Sequence, residues 1–470
     1  MARSLCTWMF VLIAVFSASC SQQSHGGPAV DPIFLIAGLG TNQDLQLSTS
    51  MSRAGVTPLA PAPPQNAALV TLGRALFFDK ELSGNRNIAC STCHLRNSGT
   101  SDGLSLSIGW GGNGLGAVRT VGTGNFVGRN APPLFNLGAK ITKYFWDGRV
   151  SRADNGILTT PEPALNGASP TRADIASQLT TGLAAQAMFP VTSDLEMRGL
   201  PGNPVRDAAN NQAVWAVLMS RLVGTNNGTV GGLPGYRALF AAAFPTVTNF
   251  DNFNFGHAAA AIAAFETESY SAVGSPFEQY VKGNTGALTP EAKAGGILFF
   301  GKANCSTCHN GPMLTDNEFH GVASPQILGT SGYLNTGDDT GRNVVTGQPG
   351  DMYKFRTPNL HNVELSAPFT HSGAYASLNQ VVDHYTNPSN AQLNFSAQGL
   401  RPDFAFTADL NFAHKTNRIN ALDPILRQPL VLSAQEKQSL VAFLMSLTDP
   451  QARNLTGSAP ASVPSGLSID

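Results

Sequence analysis

The sequence has little charge, few cysteines and, beyond its N-terminus, no long apolar run. Only 13% of its 470 residues are charged, and 29 lysines and arginines face 30 aspartates and glutamates. The resulting net charge of −1 provides no basic surplus for binding a nucleic acid. No later segment approaches the roughly 20 apolar residues that a membrane-spanning helix needs. Abundant glycine and proline, 48 and 30 residues, indicate long irregular loops rather than regular layers.

Four of the six cysteines stand in two copies of one pentapeptide, CSTCH, at residues 90–94 and 305–309. Two cysteines three positions apart can each form a thioether with a haem vinyl group, and the following histidine then becomes the proximal iron ligand. A CxxC pair alone would also suit disulfide exchange or zinc binding, but the trailing histidine and the identical repeat favour haem. The sequence therefore predicts two covalently bound c-type haems, held by Cys90, Cys93, His94, Cys305, Cys308 and His309.

The other two cysteines, Cys6 and Cys20, belong to an N-terminal segment typical of export signals. Arg3 precedes an apolar run at residues 7–16, and small residues follow it. We therefore expect residues 1–20 to be a signal peptide and the mature chain to be periplasmic. A cysteine after small residues indicates a bacterial lipoprotein acylated at Cys20, although serine stands where such signals usually carry leucine. Any contact with a membrane would be made through that lipid.

Two similar apolar segments precede the two haem motifs and indicate an internal repeat. The first is LGRALFF at residues 72–78, and the second is GGILFF at residues 295–300. Such a repeat predicts two related haem domains. Thr289 followed by Pro290 is typical of a helix start, so the second segment is expected to be helical. Another helix is expected at residues 433–447, whose apolar residues fall on one stripe.

These features predict a mostly α fold, with two cytochrome c-like haem domains in tandem and long irregular loops. The N-terminal haem domain is expected at residues 66–285 and the C-terminal haem domain at residues 286–450. A flexible linker, rich in glycine, proline, alanine and serine, is expected at residues 21–65. A flexible tail is expected at residues 451–470.

Several ordered blocks between residues 66 and 450 resemble one known family. The blocks are LFFD at 76–79, RNAP at 129–132, FWDGR at 145–149, TPNLHNV at 357–363 and APFTHSG at 367–373. They resemble the bacterial di-haem cytochrome c peroxidases and their MauG-type relatives, which mature a partner enzyme by oxidising its tryptophans. The resemblance implies that hydrogen peroxide reacts at the first haem. It also implies a six-coordinate second haem that exchanges electrons with partners.

Many peroxidases of this family carry a histidine within the sequence SIGH, which caps the first haem until reduction displaces it. The matching stretch here is SIGW, ending at Trp110. An indole nitrogen donates a hydrogen bond and has no lone pair to offer iron. We therefore expect a five-coordinate first haem with an open distal side and no reductive activation. A simply packed Trp110 agrees with this expectation, which depends only on the missing histidine.

The distal ligand of the second haem lies, in this family, fourteen residues after the histidine that matches His371. That position is Tyr385, where ordinary peroxidases have methionine and MauG-type enzymes have tyrosine. No methionine occurs between Met352 and Met445. A phenolate oxygen stabilises ferric and higher oxidation states, so this haem would store oxidising equivalents. His384 is the main rival ligand, and an unligated core tyrosine is the remaining alternative.

Splitting peroxide requires a proton to move between its two oxygens, a task for a carboxyl group in an apolar pocket. The family uses a glutamine and a glutamate ten residues apart, and Gln186 and Glu196 reproduce this spacing. Relative to the family, the chain carries an insertion between Trp146 and Gln186. The insertion leaves Glu162 as a rival acid/base group.

Trp146 belongs to the block that the family places between the two haems, where an indole lets an electron pass from one ring to the other. A buried core aromatic residue is the plainer interpretation of Trp146. Asn130, Ser366 and Pro368 match the calcium site that the family has between its haems. That site uses the asparagine side chain and two backbone carbonyls, and oxygen-only ligation suits calcium.

The remaining histidines are expected to be structural. His371 belongs to the same loop as the calcium ligands and is expected to order that loop by hydrogen bonds. His257, His320 and His414 stand in no recognisable motif, so a hydrogen-bonded structural role is expected for each.

The resemblance and the residues together predict a peroxide-dependent oxidoreductase that shares oxidising equivalents between its two haems. If electrons return from a small cytochrome or a cupredoxin, the net reaction is peroxide reduction to water. If they return from side chains of a docked protein, the enzyme matures that protein, and Trp110 and Tyr385 favour this chemistry. A third hypothesis is a pure electron carrier in which both irons are six-coordinate.

Overall fold

The computed structural model describes residues 42–139, 141–225, 232–328 and 337–470. The expected signal peptide, with Cys20, and the beginning of the expected linker lie outside the described residues. Helices make up most of the regular structure of the described part, beside two small sheets. The prediction of a mostly α fold is confirmed. Within the same part, no helix is long and apolar enough to cross a membrane.

The first half of the chain consists of helices joined by long loops and one small sheet. Its helices are α1 (Asn42–Arg53), α2 (Ala67–Phe78), α3 (Cys90–Cys93), α4 (Ala173–Ala176), α5 (Gly182–Ala187), α6 (Asn211–Leu222), α7 (Pro234–Ala243) and α8 (Phe255–Ser269). Strands β1 (Lys143–Tyr144), β2 (Val150–Arg152) and β3 (Leu158–Thr159) form an antiparallel sheet in that order. In its register, Tyr144 pairs with Val150 and Ser151 with Thr159.

The second half repeats this pattern of helices and loops. Its helices are α9 (Pro276–Val281), α10 (Pro290–Phe300), α11 (Asn343–Thr346), α12 (Leu378–Thr386), α13 (Pro388–Asn394), α14 (Pro402–Phe406), α15 (Phe412–Asn420) and α16 (Ala434–Ser446). Strands β4 (Phe319–Gly321) and β5 (Lys354–Arg356) pair antiparallel, with Phe319 opposite Arg356. The hydroxyl of Thr289 caps α10, and Ser433 caps α16. Both helices predicted from the sequence are therefore confirmed.

One helix pair in each half packs through a glycine at the point of contact. A Cβ atom on Gly73 of α2 would lie 1.8 Å from the carbonyl oxygen of Ala261 in α8. A Cβ atom on Gly295 of α10 would lie 1.8 Å from the carbonyl oxygen of Ser439 in α16. Only glycine allows two helix backbones to approach this closely. The sequence repeat therefore corresponds to a repeated contact between two helices.

Aromatic side chains extend each of these contacts into a buried core. The ring centroids of Phe77 and Phe265 lie 5.2 Å apart in the first half, and those of Phe299 and Phe443 lie 5.0 Å apart in the second. Each pair belongs to a separate cluster of buried apolar residues. The described residues nevertheless form one compact unit. The expected domain boundary near residue 285 stays a prediction.

The segment expected to be a flexible linker contains helix α1, so that expectation is wrong for residues 42–53. Leu47 is fully buried in the second cluster, where it lies against Gly296 of α10. Lys293 of the same helix forms a buried ion pair with Asp44 at 2.7 Å. Apolar contact and charge together fix α1 to the second half of the protein.

The expectation of a flexible tail at residues 451–470 is also wrong. Val463 is buried in the first cluster, and the hydroxyl of Ser465 donates to Asp79 Oδ1 at 2.6 Å. The side chain of Asp470 forms an ion pair with Lys80 at 2.6 Å. The last residues of the chain therefore pack on the first half of the protein, beside its haem motif.

Candidate active site

The first haem motif forms the short helix α3, which brings its two cysteines to one side. The backbone N–H of His94 donates to the carbonyl oxygen of Cys90 at 3.0 Å. His94 Nδ1 lies 2.9 Å from the carbonyl oxygen of Thr100. A carbonyl acceptor requires the proton on Nδ1, so Nε2 keeps its lone pair for a metal. Burial lowers the pKa of His94, which also favours the neutral ring.

The second haem motif has the same arrangement. The backbone N–H of His309 donates to the carbonyl oxygen of Cys305 at 2.9 Å, and Nδ1 lies 2.9 Å from the carbonyl oxygen of Leu314. Thr100 and Leu314 both have positive φ angles, 59° and 49°. Such angles are uncommon outside glycine, and their recurrence directs a carbonyl to each histidine. Both motifs therefore present a histidine in the tautomer that binds iron.

Each motif lies in the wall of a large cavity. The first cavity, about 1170 Å³ with its open mouth, is lined by Cys90, Cys93 and His94. The second, about 2270 Å³, is lined by the matching residues Cys305, Cys308 and His309. The two thiols and the histidine in each wall fit one covalently attached haem in each cavity.

The acid/base residues predicted from the sequence meet in the first cavity. Glu196 and Gln186 both line it. Burial raises the pKa of Glu196, while nearby Arg149 and a hydrogen bond with Ser193 act in the opposite direction. A carboxyl group with a raised pKa in the wall of such a cavity is suited to proton transfer.

Glu162, the rival acid/base residue, is engaged elsewhere. Its carboxylate accepts a hydrogen bond from the backbone N–H of Ala164 at 3.3 Å and so caps the short helical turn Pro163–Leu165. Gln212 donates to the same oxygen at 3.3 Å. These contacts give Glu162 a structural role that Glu196 lacks.

Trp110 is a packed residue whose indole is directed at the loop before Glu196. It is 7% exposed and belongs to the first core cluster. Its Nε1 atom donates to the carbonyl oxygen of Asp194 at 2.7 Å. His94 is the one histidine among the described residues that line the first cavity. This arrangement leaves the first cavity without a second imidazole.

Trp146 and Asn130 lie between the two cavities. Among the residues described, they alone line both. The indole N–H of Trp146 donates to the carbonyl oxygen of Asn130 at 2.9 Å. The tryptophan predicted to carry electrons therefore stands in a wall that both cofactors would share.

The residues predicted to bind calcium come together at the second cavity, which Asn130, Ser366 and Pro368 all line. The amide nitrogen of Asn130 donates to Leu104 O at 2.7 Å, which turns its oxygen to the other side. The hydroxyl of Ser366 donates to Val363 O at 3.0 Å, and its backbone carbonyl is the oxygen that the family would use. These uncharged oxygen donors fit a hard cation. Calcium binding stays a prediction.

Tyr385 and His384 are neighbours on α12 and both line the second cavity. His384 is buried, with Nδ1 2.9 Å from the hydroxyl of Tyr375 and Nε2 2.8 Å from the carbonyl oxygen of Val322. The side chain of Tyr385 is 37% exposed at the cavity. Burial against the protein and the nearby thiols raises the pKa of its phenol well above the usual value. A bound ferric ion would be needed to hold it as phenolate.

His371 was expected to order the calcium loop by hydrogen bonds, and the described part of the structure shows such a bond at its main chain but none at Nε2 of its ring. Its ring stacks face to face on Phe355, with centroids 3.7 Å apart. Its Nε2 atom has no hydrogen-bond partner among the described residues. The backbone carbonyl of His371 accepts from the N–H of Asn130 at 2.8 Å. The main-chain hydrogen bond and the stacked ring therefore fix His371 in this loop.

His257, His320 and His414 make hydrogen bonds. His257 contacts the cap residue of α8, and His414 lies 3.0 Å from Asp409. His320 stands between Asp316 and Asp423, whose carboxylates raise its pKa to about 12. His320 also lines the second cavity. A charged imidazolium ring beside that cavity is a feature that the sequence did not reveal.

Glu266 is a buried carboxyl group in the first cavity that sequence reasoning missed. It lies on α8, and its Oε2 atom has no hydrogen-bond partner among the described residues. Burial raises its pKa from 4.5 to about 8. The internal repeat of the sequence could have revealed Glu266, because the matching position in the second half lines the second cavity. Phe265 corresponds to Phe443, so Glu266 occupies the position of Leu444, which lines the second cavity.

Comparison with known proteins agrees with this geometry. A family model described as di-haem cytochrome c peroxidase matches residues 67–286. The methylamine utilization protein MauG of Methylorubrum extorquens is 29% identical over 419 residues, covering 88% of each chain. Cytochrome c551 peroxidase of Nitrosomonas europaea is 27% identical over 350 residues, 72% of this chain and 81% of that one.

A solved structure extends the similarity to the fold. The crystal structure of a MauG-like protein associated with microbial copper homeostasis is 28% identical in sequence, with a TM-score of 0.55. The match covers 84% of this chain and 94% of that one. The family implies two c-type haems, in agreement with the two cavities. These similarities support a relationship to the di-haem cytochrome c peroxidases and MauG-type proteins, and they support a peroxide-dependent di-haem oxidoreductase.

Proposed function

We propose that the protein is exported to the periplasm, reacts with hydrogen peroxide in the first cavity and shares the oxidising equivalents with the second. The difference between the two cavities is the observation that carries the proposal. Besides its proximal histidine, the first presents Glu196 and Gln186, which suit proton transfer. The second presents Tyr385, whose phenol oxygen would be able to hold the haem iron permanently.

Glu196 is the residue that moves the proton. When attached, the haems supply the iron that binds peroxide and holds the oxidising equivalents. The carboxylate of Glu196 takes the proton from one peroxide oxygen and returns it to the other, which leaves as water. The amide of Gln186 orients the two oxygens by hydrogen bonds. The raised pKa of Glu196 suits both halves of this transfer.

Trp146 provides the electron path between the cavities, since its indole lies in their common wall. Tyr385 and His309 both line the second cavity and would hold the iron of the second haem, with the phenolate oxygen of Tyr385 favouring its ferric state. The two hydrogen bonds of His384 support this choice because they engage both of its ring nitrogens. A calcium ion at Asn130, Ser366 and Pro368 would stabilise the region between the haems.

The electrons that complete the reaction come from outside the chain. Oxidation of side chains in a docked partner protein is the first candidate, because an anionic phenolate ligand favours high oxidation states at the second haem. MauG itself is among the relatives with this overall similarity. Peroxide reduction with a small cytochrome or cupredoxin as donor is the second candidate, and relatives named cytochrome c peroxidases support it. Any attachment to a membrane would be made through a lipid on Cys20.

Stopped-flow spectroscopy of the ferric protein with peroxide tests the proposed site. We expect a rapid change of the Soret band that E196Q slows by about 10²–10⁴-fold, the usual contribution of a positioned acid/base group. E162Q is the matched control, because Glu162 caps a turn outside the cavity, and its rate should equal that of the unmodified protein. An inert Soret band would instead indicate a pure electron carrier. Normal rates in E196Q would exclude that residue as the proton-transfer group.

A donor assay separates the two enzyme candidates. Reduced small cytochrome c is mixed with peroxide and catalytic amounts of the holoprotein, and oxidation of the cytochrome is followed. A slow reaction, together with a rapid Soret change, supports oxidation of a partner protein. Rapid, repeated turnover supports cytochrome-dependent peroxide reduction and argues against a dedicated maturation enzyme.

A further inference from the structure

The loop at residues 107–110 rests directly on the turn that carries Glu196. The indole N–H of Trp110 donates to the carbonyl oxygen of Asp194 at 2.7 Å, and its backbone N–H donates to the carbonyl oxygen of Glu196 at 3.0 Å. One residue therefore bonds to the turn at two points, on either side of Leu195. The indole ring is held in turn by the first core cluster, in which it is almost fully buried.

Gly109 allows this contact to be close. A Cβ atom at this position would lie 1.7 Å from the carbonyl oxygen of Leu195 and 3.1 Å from that of Glu196. The N–H of Gly109 donates to the carbonyl oxygen of Asn125 at 3.2 Å, which fixes the loop on its other side. The loop thus joins the Glu196 turn to the part of the chain around Asn125.

The Glu196 turn has few other attachments on this side. Asp194 is exposed, and its carboxylate pairs with Arg198 and Arg206 at the surface. On the inner side, Met197 is buried and its carbonyl oxygen accepts from the N–H of Gly84 at 2.8 Å. The two hydrogen bonds from Trp110 therefore join the buried core to residues 194–196.

We propose that Trp110 is a positioning residue that holds the Asp194–Glu196 turn so that the carboxyl group of Glu196 faces the first haem. The inference rests on the proposed role of Glu196. Its physical basis is the steep dependence of proton transfer on geometry, because a displacement of about 1 Å can cost on the order of 100-fold in rate. A hydrogen bond to the main chain on each side of Leu195 limits both rotation and translation of the turn.

W110F tests the indole bond without removing the aromatic ring or the backbone N–H. W215F is the matched control, since Trp215 is buried in the same cluster and its Nε1 donates to Met188 O at 2.9 Å. Hydrogen–deuterium exchange of the holoprotein, measured by mass spectrometry, reports on the turn without peroxide. We expect exchange at residues 193–198 to rise roughly fivefold in W110F, about the worth of one net hydrogen bond. In W215F exchange in this segment should not change.

The rate of the peroxide-induced Soret change provides the second measurement. We expect W110F to slow it by about tenfold or more, with unchanged haem content. In the E196Q background, W110F should have almost no further effect on this rate. The effects of two substitutions are not additive when both act through the same group. G109A, which would push Leu195 and Glu196 away, should reproduce the W110F result by a different route.

The outcomes separate this inference from the proposed function. If E196Q reacts normally, the assignment of Glu196 fails, whatever the exchange data show. Suppose that E196Q reacts slowly but W110F shows normal exchange at residues 193–198. Trp110 is then merely a packed residue and the inference is wrong. The same conclusion follows if W110F lowers the rate of the Soret change further in the E196Q background. Faster exchange, a slow reaction and non-additivity together support it.

Discussion

The Nδ1 atom of His384 lies 2.9 Å from the hydroxyl oxygen of Tyr375, within the wall of the second cavity. Because Nε2 of the same ring lies 2.8 Å from Val322 O, both nitrogens of His384 are engaged. The next residue along α12 is Tyr385, whose side chain is open to the cavity. The helix thus buries the histidine in hydrogen bonds and presents the phenol to the second cavity.

Replacing Tyr385 by phenylalanine removes the proposed anionic ligand and leaves the ring. We expect Y385F to lose the low-spin signal of the second haem in the electron paramagnetic resonance spectrum. Its reduction potential should rise by on the order of 100 mV, because phenolate stabilises the ferric state. Potentials are measured by spectroelectrochemistry on the holoprotein.

The neighbouring histidine provides the control for Y385F. H384Q should lose stability, because it disturbs two buried hydrogen bonds. The low-spin signal should nevertheless persist in H384Q. Loss of that signal in H384Q, with an unchanged spectrum in Y385F, would make His384 the ligand.

Trp146 has a structural and an electronic role that one pair of variants can separate. W146F removes the indole N–H that donates to Asn130 O, a loss of about 1 kcal/mol in the free energy of unfolding. We expect the first-haem change after peroxide to remain fast while the change at the second haem is delayed. W215F loses a comparable indole bond elsewhere, so it should lower stability without delaying the second haem. Equal delays in both variants would refute a specific path through Trp146.

The haem chemistry could be predicted from the sequence because covalent attachment requires particular residues at a fixed spacing. The CSTCH motifs, the helix that begins after Thr289 and the mostly helical fold are of this kind. Trp146 followed from a contiguous block, and the structure places it in the wall between the cavities. Features carried by a local pattern were therefore accessible without a structure.

Contacts between distant parts of the chain were not accessible in this way. The hydrogen bond between Ser465 and Asp79 joins residues 386 positions apart, and tail composition alone indicated flexibility. Leu47 and Met51 are spaced as on one face of a helix, but two apolar residues in a mostly polar segment are a weak signal. Glu266 was missed because a single glutamate on a helix is usually solvated.

Glu266 should make the stability of the holoprotein fall with rising pH. In the unfolded chain its carboxyl group titrates near its usual value of 4.5, whereas burial raises the folded-state pKa to about 8. Between these values the folded protein keeps a proton that the unfolded chain releases, so stability is lost as pH rises. The loss is at most about 1.4 kcal/mol for each pH unit in this window.

Unfolding at pH 5 and pH 8 measures this contribution. We expect E266Q, which cannot titrate, to show a smaller loss of stability between the two pH values than the unmodified protein. E268Q is the matched control, because Glu268 is exposed on the same helix, and its pH dependence should be unchanged. An identical pH dependence in all three proteins would show that Glu266 ionises as readily when folded as when unfolded.

The docked tail should contribute to the stability of the first half of the protein. V463A removes buried methyl groups at a cost of about 1–2 kcal/mol in the free energy of unfolding. S465A removes the donor to Asp79, a bond to a charged acceptor worth about 1.5–3 kcal/mol. Denaturant titration followed at the Soret band and by circular dichroism measures both effects. S462A, at an exposed position of the same segment, should stay within about 0.5 kcal/mol of the unmodified protein. In a packed tail, the change in the free energy of unfolding depends on which residue is replaced. If all three variants unfold alike, the tail is therefore as flexible as its composition indicated.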